Sequence, residues 1–155
     1  MVTIRRAQST DAEMVFGWRN DDEARAVSRS SKKVKWEDHV HWFAERLMTK
    51  HAESVWIIER GKTPVGSGRI NRYKDDHRAE ISIALAPEHR REGLGRLAIA
   101  QLSTMVKSMG RVPVAYVRVS NSRSLNAFMA AGFKLSSPDV TAVVSSDPLV
   151  LLHDA

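Results

Sequence analysis

Short segments of alternating apolar and polar residues are separated by longer segments with helical apolar spacing, which predicts a mixed chain of strands and helices. The turn-forming residues at 61–64 and 74–77 divide the middle of the chain into a run of three strands. The predicted strands are residues 3–6, 54–59, 65–73, 79–85, 112–119, 133–135 and 140–152. The first of them is expected at a sheet edge, and the last two as a terminal hairpin.

Four helices and one short helical piece are predicted between these strands. A capping-box pattern from Thr10 to Glu13 starts the first helix, and the short piece falls within residues 20–35. The apolar residues of the second helix form one stripe, namely Trp36, Val40, Phe43 and Leu47. The third helix runs from Leu94 to a C-cap at Gly110, and the fourth covers 122–131 before Gly132.

This order of elements predicts one mixed α/β domain over residues 1–155, of a size that buries a sizeable core. We expect a central mixed sheet of six to seven strands with helices on both faces. The early strands should be antiparallel, and the two that flank the third helix should be parallel.

Composition limits the classes of function. The chain has no cysteine, which excludes disulfides, thiolate metal sites and a cysteine nucleophile, and favours a cytoplasmic location. No apolar run suits a membrane span or a secretory signal, so no membrane association is expected. The net charge of +6 suggests an anionic partner, although basic residues also simply aid solubility. No metal is expected, because the histidines and the acidic turn lack ligand spacing.

The most informative segment is 81–96, which reads as an apolar strand, a proline turn, a loop rich in arginine and glycine, and a helix start. A glycine-rich turn that opens a helix presents unpaired backbone N–H groups at the positive end of the helix dipole. Such a turn binds a phosphate or pyrophosphate. The Gly93-x-Gly95 pair also matches a dinucleotide pattern, but the strand is too distant and no acidic residue follows at the required spacing.

A second motif strengthens the interpretation. Arg90-x-x-Gly93-x-Gly95, followed by Asn121-x-x-Ser124 and a Gly132-Phe133 exit, resembles the GCN5-related N-acetyltransferase (GNAT) superfamily. The order of the elements also agrees with that fold. The resemblance implies that the loop holds the pyrophosphate of acetyl-CoA, and that two splayed parallel strands, ending at Leu85 and near Val119, hold its pantetheine arm. The implied donor-binding residues are Leu85, Arg90, Arg91, Glu92, Gly93, Leu94, Gly95, Arg96, Asn121, Ser124 and Phe128.

The resemblance also implies direct acetyl transfer to an amine. Backbone N–H groups near Leu85 would stabilise the oxyanion, and Glu80 is the candidate general base, unless it is a solvent-facing strand residue. Many family members carry a tyrosine where this chain has Phe128, which leaves water, Ser124 or Tyr116 as the substitute proton donor to the leaving thiolate. A catalytically silent, CoA-binding relative is the alternative.

The acceptor side is expected in the N-terminal half. Its pattern resembles a GNAT subgroup that acetylates nucleotide-linked aminosugars, although these residues would equally suit a core and a solvated surface; they are Trp18, Arg19, Asn20, Arg25, Ser28, His39 and Trp42. A nucleotide-linked aminosugar is therefore the preferred small-molecule acceptor, followed by a peptide N-terminus and a free amine. No nucleic-acid-binding motif is evident. The apolar tail at 148–152 suits either a core strand or the contact of a homodimer.

Overall fold

Seven strands pair into one mixed sheet in the part of the chain that the computed structural model describes, residues 1–28, 30–49, 53–73, 77–136 and 149–154. The strands are β1 (Val2–Arg6), β2 (Val55–Arg60), β3 (Thr63–Arg72), β4 (Arg78–Leu85), β5 (Val112–Arg118), β6 (Lys134–Leu135) and β7 (Leu149–His153). Their order is β1-β2-β3-β4-β5-β7-β6, in which β4 and β5 are parallel and the other described pairs antiparallel. The predicted mixed sheet, with β1 at an edge and a central parallel pair, is confirmed.

Helices cover both faces of this sheet, as predicted. The helices are α1 (Ala12–Asn20), α2 (Asp22–Ala26), α3 (Trp36–Leu47), α4 (Leu94–Ser108) and α5 (Ser122–Ala130). On one face, Val15 of α1 and Phe43 of α3 pack with Ile57 of β2. On the other, Leu102 of α4 and Phe128 of α5 belong to the largest core cluster. Among the described residues, no helix combines the length and apolar character needed to cross a membrane.

Gly68 in β3 explains how closely α4 packs on the sheet. A Cβ atom at Gly68 would lie 2.7 Å from Cδ1 of Leu102, a distance that side chains essentially never adopt. The α4 helix therefore lies directly on the backbone of β3. Its C-terminus is closed by Gly110 at φ +73°, whose N–H donates to the Lys107 carbonyl at 2.9 Å, so the predicted C-cap is confirmed.

The predicted apolar stripe of α3 is partly wrong. Phe43 is buried and Leu47 partly buried, but Trp36 and Val40 are 42% and 40% exposed. The helix instead buries His39 beside Phe43, because the His39 ring binds the Ala12 carbonyl of α1 at 2.7 Å. A polar contact between two helices thus sets the rotation of α3.

The start of α1 also differs from the prediction. The capping box from Thr10 to Glu13 is wrong, because a 3₁₀ turn, Ser9–Asp11, precedes the helix. The capping contact therefore forms around this 3₁₀ turn instead, where the Gln8 N–H donates to the Asp11 carboxylate at 2.8 Å. The capping chemistry is that expected of an acidic residue at a helix start, but two residues earlier than the pattern indicates.

The C-terminal hairpin is confirmed where the structure describes it. The strands β6 and β7 are antiparallel, with Lys134 opposite His153, while residues 137–148 lie outside the described part of the chain. The β7 strand also pairs with β5 and fully buries Leu152. The described part of the apolar tail is therefore a core strand. The predicted turn at 74–77 lies mostly outside the described residues as well.

Candidate functional site

The parallel strands β4 and β5 separate halfway along their length. Their register runs from Arg78 opposite Val112 to Glu80 opposite Val114 and then stops, while β4 continues to Leu85 along β3. Beyond β4, the Ala86 N–H donates to Val65 of β3 at 2.8 Å. Because N–H groups alternate in direction along an extended strand, the N–H of Leu85 faces away from β3 and into the gap beside β5. The predicted splay is therefore present at the predicted pair of strands.

The loop after β4 leads into α4 through two residues with positive φ. Arg91 has φ +67° and Gly93, the N-cap of α4, has φ +74°, so residues 90–96 do not form a continuous helix. Since α4 begins at Leu94, the N–H groups of its first turn have no carbonyl partner within the helix. They lie at the positive end of the dipole of a 15-residue helix. This arrangement is a cradle for an anion.

Gly95 lets the start of α4 pack closely on β4 and α5. A Cβ atom there would lie 3.4 Å from Cδ1 of Ile83 and 3.5 Å from Cβ of Ala127, which already closes the contact between α4, β4 and α5. Any larger side chain at Gly95 would fill the crevice beside the gap between the strands. The residues present thus fit a narrow, extended ligand that carries phosphates.

The Arg90 side chain has other partners than a ligand. Its guanidinium donates to Asp21 at 2.8 Å and to Glu23 at 2.9 Å, and Arg123 of α5 also pairs with Glu23. Burial would raise the pKa of Asp21, but the hydrogen bonds from Arg90 and the Ala24 amide hold it below its ordinary value. We call this group of four charged side chains the ion-pair cluster. It ties α2 to the loop and to α5, and it balances the charge of Arg90.

The other predicted donor residues differ in role. Asn121 caps α5, because its Oδ1 accepts from the Ser124 N–H at 3.2 Å. Phe128 is buried, with its ring centroid 5.0 Å from that of Phe133. Glu92 forms an ion pair with Arg60 at 2.6 Å rather than lining the cavity.

One cavity of about 1020 Å³ runs from the loop before α4, through the gap between β4 and β5, to the sheet face that α1 and α3 cover. Except for Glu92, every predicted donor residue lines it, as does Glu80. Ten basic and three acidic residues contribute to its wall. The structure therefore brings the predicted residues together around one basic cavity.

Glu80 is not the solvent-facing residue of the alternative prediction. It is 8% exposed, and Tyr73 donates its hydroxyl proton to Oε2 of Glu80 at 3.1 Å. It lies opposite Asn71 of β3, on the sheet face that α1 and α3 cover, at the last paired position before the strands separate. The sequence offered no signal for Tyr73 as its partner.

The acceptor-side residues meet around Trp42. The Arg19 guanidinium lies 4.2 Å from the centre of the Trp42 ring, and that of Arg69 lies 5.5 Å from it. Both arginines and Trp42 line the cavity. Sequence reasoning missed Arg69, although its place in β3, two residues from Asn71, puts it on the same sheet face as Glu80.

Two other predicted acceptor residues have structural contacts. Trp18 is mostly buried in the core that joins α1 and α3, although its edge reaches the cavity. Arg25 pairs with Asp22 at 2.7 Å and donates to the carbonyls of Asn20 and Ser31. Arg25 thus fixes the segment after α2.

His39 is fully buried and neutral. Its two ring nitrogens contact the Ala12 carbonyl at 2.7 Å and the Arg19 guanidinium at 3.0 Å. A carbonyl only accepts and a guanidinium only donates, so the ring carries its proton on Nε2 and accepts at Nδ1. Burial lowers the pKa of His39, and the nearby charge of Arg19 acts in the same direction.

We expect this buried ring to make the free energy of unfolding depend on pH between about 7 and 5. The unfolded chain binds a proton on His39 near its ordinary pKa of about 6.5, whereas the folded protein resists it, so stability falls as the pH falls. The slope of the free energy of unfolding against pH, obtained from urea unfolding at each pH, should be shallower in the His39→Gln variant than in the wild type. His41→Gln, whose side chain is 80% exposed, is the control and should keep the wild-type slope. Equal slopes for the two variants would contradict this role of His39.

Within the described ranges, no group of three or more histidine, aspartate or glutamate side chains could hold a metal ion.

Comparisons with known proteins agree with this geometry. Residues 1–134 match the family model described as an acetyltransferase (GNAT) domain. No curated protein sequence matches significantly. The fold is similar to a Salmonella typhimurium structure described as an acetyltransferase with its cofactor acetyl-CoA (TM-score 0.80, 20% identity, 99% of this chain and 92% of that chain).

Two further structures share the fold with similar coverage. A Brucella melitensis ribosomal-protein-alanine N-acetyltransferase aligns with TM-score 0.77 and 19% identity over 97% of this chain and 98% of its own. A Vibrio cholerae spermidine N-acetyltransferase, in complex with CoA and spermine, aligns with TM-score 0.84 and 15% identity over 98% of this chain and 94% of its own. At these identities the likeness establishes the fold, whereas the match over residues 1–134 establishes the family. The chain belongs to the GNAT acetyltransferase family.

Proposed function

We propose that this protein is an acetyl-CoA-dependent N-acetyltransferase that transfers acetyl directly to a primary amine, with an amino group of a nucleotide-linked aminosugar as its preferred acceptor. One observation carries the proposal. The gap between β4 and β5 opens at Glu80, and at the far end of β4 the start of α4 lies next to Ile83 and Leu85, where the cap residue Gly93 has the left-handed backbone conformation. That juxtaposition supplies an anion cradle, a slot for an extended arm and a buried carboxylate in one cavity.

The donor is held mainly by main-chain groups. The N–H groups of residues 91–96 converge on the pyrophosphate, and the glycines at 93 and 95 let the backbone approach it. Arg91 and Arg96 line the cavity and add positive charge, whereas Arg90 acts through the ion-pair cluster. Asn121 and Phe128 form the wall beside the pantetheine arm.

The residues around the gap support direct transfer. The Leu85 N–H faces the thioester carbonyl and stabilises the negative charge that develops on its oxygen. Glu80, directly or through one water, takes the proton from the attacking amine. The new C–N bond forms as the C–S bond breaks, and the CoA thiolate leaves with the electron pair of that bond.

The thiolate needs little help to leave. Phe128 cannot donate a proton, but a thiol with an ordinary pKa near 8.5 is a tolerable leaving group. Tyr116 and Ser124 line the same cavity, so either hydroxyl, or water, supplies the proton. A general acid weaker than the family's tyrosine should slow turnover without abolishing it.

The basic wall of the cavity favours an anionic acceptor, which supports the nucleotide-linked aminosugar over a polyamine. The alternative acceptor is a peptide N-terminus, and the alternative function is CoA binding without catalysis. The peptide alternative predicts that CoA is released fastest when a peptide N-terminus is acetylated. The binding-only alternative predicts that no amine leads to CoA release.

The test is a thiol-release assay with acetyl-CoA and three amines: a UDP-linked amino sugar, a peptide with an N-terminal alanine, and spermidine. We expect the fastest release with the UDP-linked amino sugar, and micromolar to millimolar acetyl-CoA binding by calorimetry. If thiol release is fastest with the peptide, a peptide N-terminus replaces the nucleotide-linked aminosugar as the preferred acceptor. Binding without release from any amine would support the non-catalytic alternative, and absence of binding would refute the proposal.

A further inference from the structure

The Arg19 guanidinium is a partly buried cation with no carboxylate partner among the described residues. Its contacts are Nδ1 of His39 at 3.0 Å and the face of Trp42 at 4.2 Å. Burial lowers the pKa of Arg19, yet an arginine remains charged at neutral pH. Holding a cation in a half-buried position is costly unless an anion compensates for it.

His39 fixes the orientation of this guanidinium. The His39 ring is fully buried and bound to the Ala12 carbonyl, so its Nδ1 can only accept from Arg19. That contact uses one of the five N–H donors of Arg19. The face of the guanidinium is packed on Trp42, and the side chain lines the cavity. Arg19 is therefore held in place with donors still available at the cavity wall.

A second cationic group converges on the same indole ring. Arg69 lies 5.5 Å from the Trp42 centroid, and it too lines the cavity. A third guanidinium, that of Arg46, lies 5.9 Å from the ring, but it donates to Asn71 and to the Ile70 carbonyl. Arg69 also donates to the Ser82 hydroxyl at 3.4 Å. Positive charges that share one wall of the cavity repel one another, and an anion bound near Arg19 and Arg69 would offset that repulsion.

The position of this pair relative to Glu80 defines the kind of molecule that fits. Arg69 lies opposite Ser82, and Asn71 lies opposite Glu80, so Arg69 and Glu80 are diagonal neighbours on one sheet face. Diagonal neighbours across an antiparallel pair are roughly 7–8 Å apart. An amine beside Glu80 would therefore lie on the same sheet face as Arg69, which shares the Trp42 ring with Arg19, so that one acceptor molecule can reach both places.

We propose that Arg19 and Arg69, stacked beside Trp42, bind a carboxylate or phosphate carried by the same acceptor molecule whose amine is acetylated at Glu80. This inference rests on the proposed acetyltransferase function and adds the specificity determinant of the acceptor. It excludes polyamines as good acceptors, because a second cationic group would face two guanidinium groups. His39 acts as a positioning residue, since it orients Arg19 and does not line the cavity.

The kinetic test compares small amines that differ in one group. The probes are β-alanine with a carboxylate, O-phosphoethanolamine with a phosphate, and propylamine with neither. We expect kcat/KM for thiol release to be at least about tenfold higher for one or both anionic amines, since a charged hydrogen bond is worth about that factor or more. The ratio between the two anionic probes identifies the anion. Equal values for all three amines would overturn the proposal.

Variants locate the effect. Arg19→Gln should raise KM for the preferred anionic amine about tenfold or more, with kcat and the KM of propylamine nearly unchanged. Arg19→Lys and Arg69→Gln should also raise KM for the preferred anionic amine. They keep the test valid if Arg19→Gln fails to fold. His39→Gln should raise KM without lowering kcat. Lys62→Gln removes one positive charge from an exposed turn and is the matched control, with no change expected. Equal effects on all amines would overturn the assignment.

A binding measurement separates this inference from the proposed function. Titration of the free protein with O-phosphoethanolamine and β-alanine, followed by the indole N–H resonances in an NMR spectrum, should shift the Trp42 signal, identified by its loss in Trp42→Phe. The shift should disappear in Arg19→Gln. If no amine is acetylated but the shift is present, the proposed function fails and the anion subsite stands. If transfer occurs and no shift appears at saturating amine, the subsite is refuted.

Discussion

The Glu80→Gln substitution should lower kcat for acetyl transfer about 10²–10³-fold and leave the dissociation constant of acetyl-CoA unchanged. An amide cannot accept the proton of the attacking amine, but it has nearly the same volume as the carboxylate. It can also still accept the hydroxyl hydrogen bond of Tyr73, so the fold around the gap should persist. Steady-state kinetics and calorimetry with acetyl-CoA measure the two quantities separately.

The matched control for this substitution is Glu37→Gln, an exposed glutamate in the first turn of α3 that does not line the cavity. It should keep the wild-type kcat. A Glu80→Gln variant with full turnover would show that another group removes the proton.

The second large effect is expected at Gly93, with Gly110 as a matched site at the other end of α4. Both glycines have nearly the same positive φ, +74° and +73°, and a Cβ atom at either meets nothing within 4 Å. Alanine at each position should therefore cost about 1–2 kcal/mol of folding stability through backbone strain alone. In Gly93→Ala the loop can relieve that strain by rotating the peptide groups that form the anion cradle.

That relief should appear as a loss of donor affinity. If the strain shifts the loop away from its binding conformation by about 1.4 kcal/mol, the dissociation constant of acetyl-CoA rises about tenfold. Gly110→Ala carries the same strain at the far end of α4, so its acetyl-CoA affinity should equal that of the wild type. Calorimetry measures the affinities and urea unfolding the stabilities. Equal affinities for the two variants would mean that the backbone at Gly93 has no part in donor binding.

Much of the fold was predictable because local signals decided it. Alternating apolar residues located the strands, and glycines located the turns, as at Gly110, where only the left-handed conformation closes the helix. The layered architecture then followed from the order of strands and helices, because each apolar sheet face must be covered. The motif residues around Gly93 and Gly95 predicted the loop geometry, since their chemistry lies in the backbone.

The errors came from contacts between elements. Sequence spacing placed Trp36 and Val40 in the core, but the contact of His39 with the Ala12 carbonyl rotated α3 and exposed them. The ion-pair partners of Arg90 were also missed, since the structure pairs its guanidinium with Asp21 and Glu23, far away in sequence. No local pattern reveals such partners.

The candidate site shows the same division. The face of the sheet that Glu80 occupies could not be decided from its own segment, because a shift of one residue reverses every side chain of a strand. The register of β4 against β3 decided it, and the same register placed Arg69 on that face. Tertiary pairing, rather than residue type, thus determined which polar groups share the cavity.

Because β4 and β5 pair over only three residues of β4, the sheet consists of two parts joined by a short parallel contact. One part contains β1 to β4 and the other contains β5 to β7, and α4 packs against strands of both parts. Ile99, Leu102 and Val106 of α4 belong to the buried cluster that also contains Ile81 of β4 and Val117 of β5. Side chains of α4 that do not line the cavity therefore hold the two parts of the sheet together around the gap.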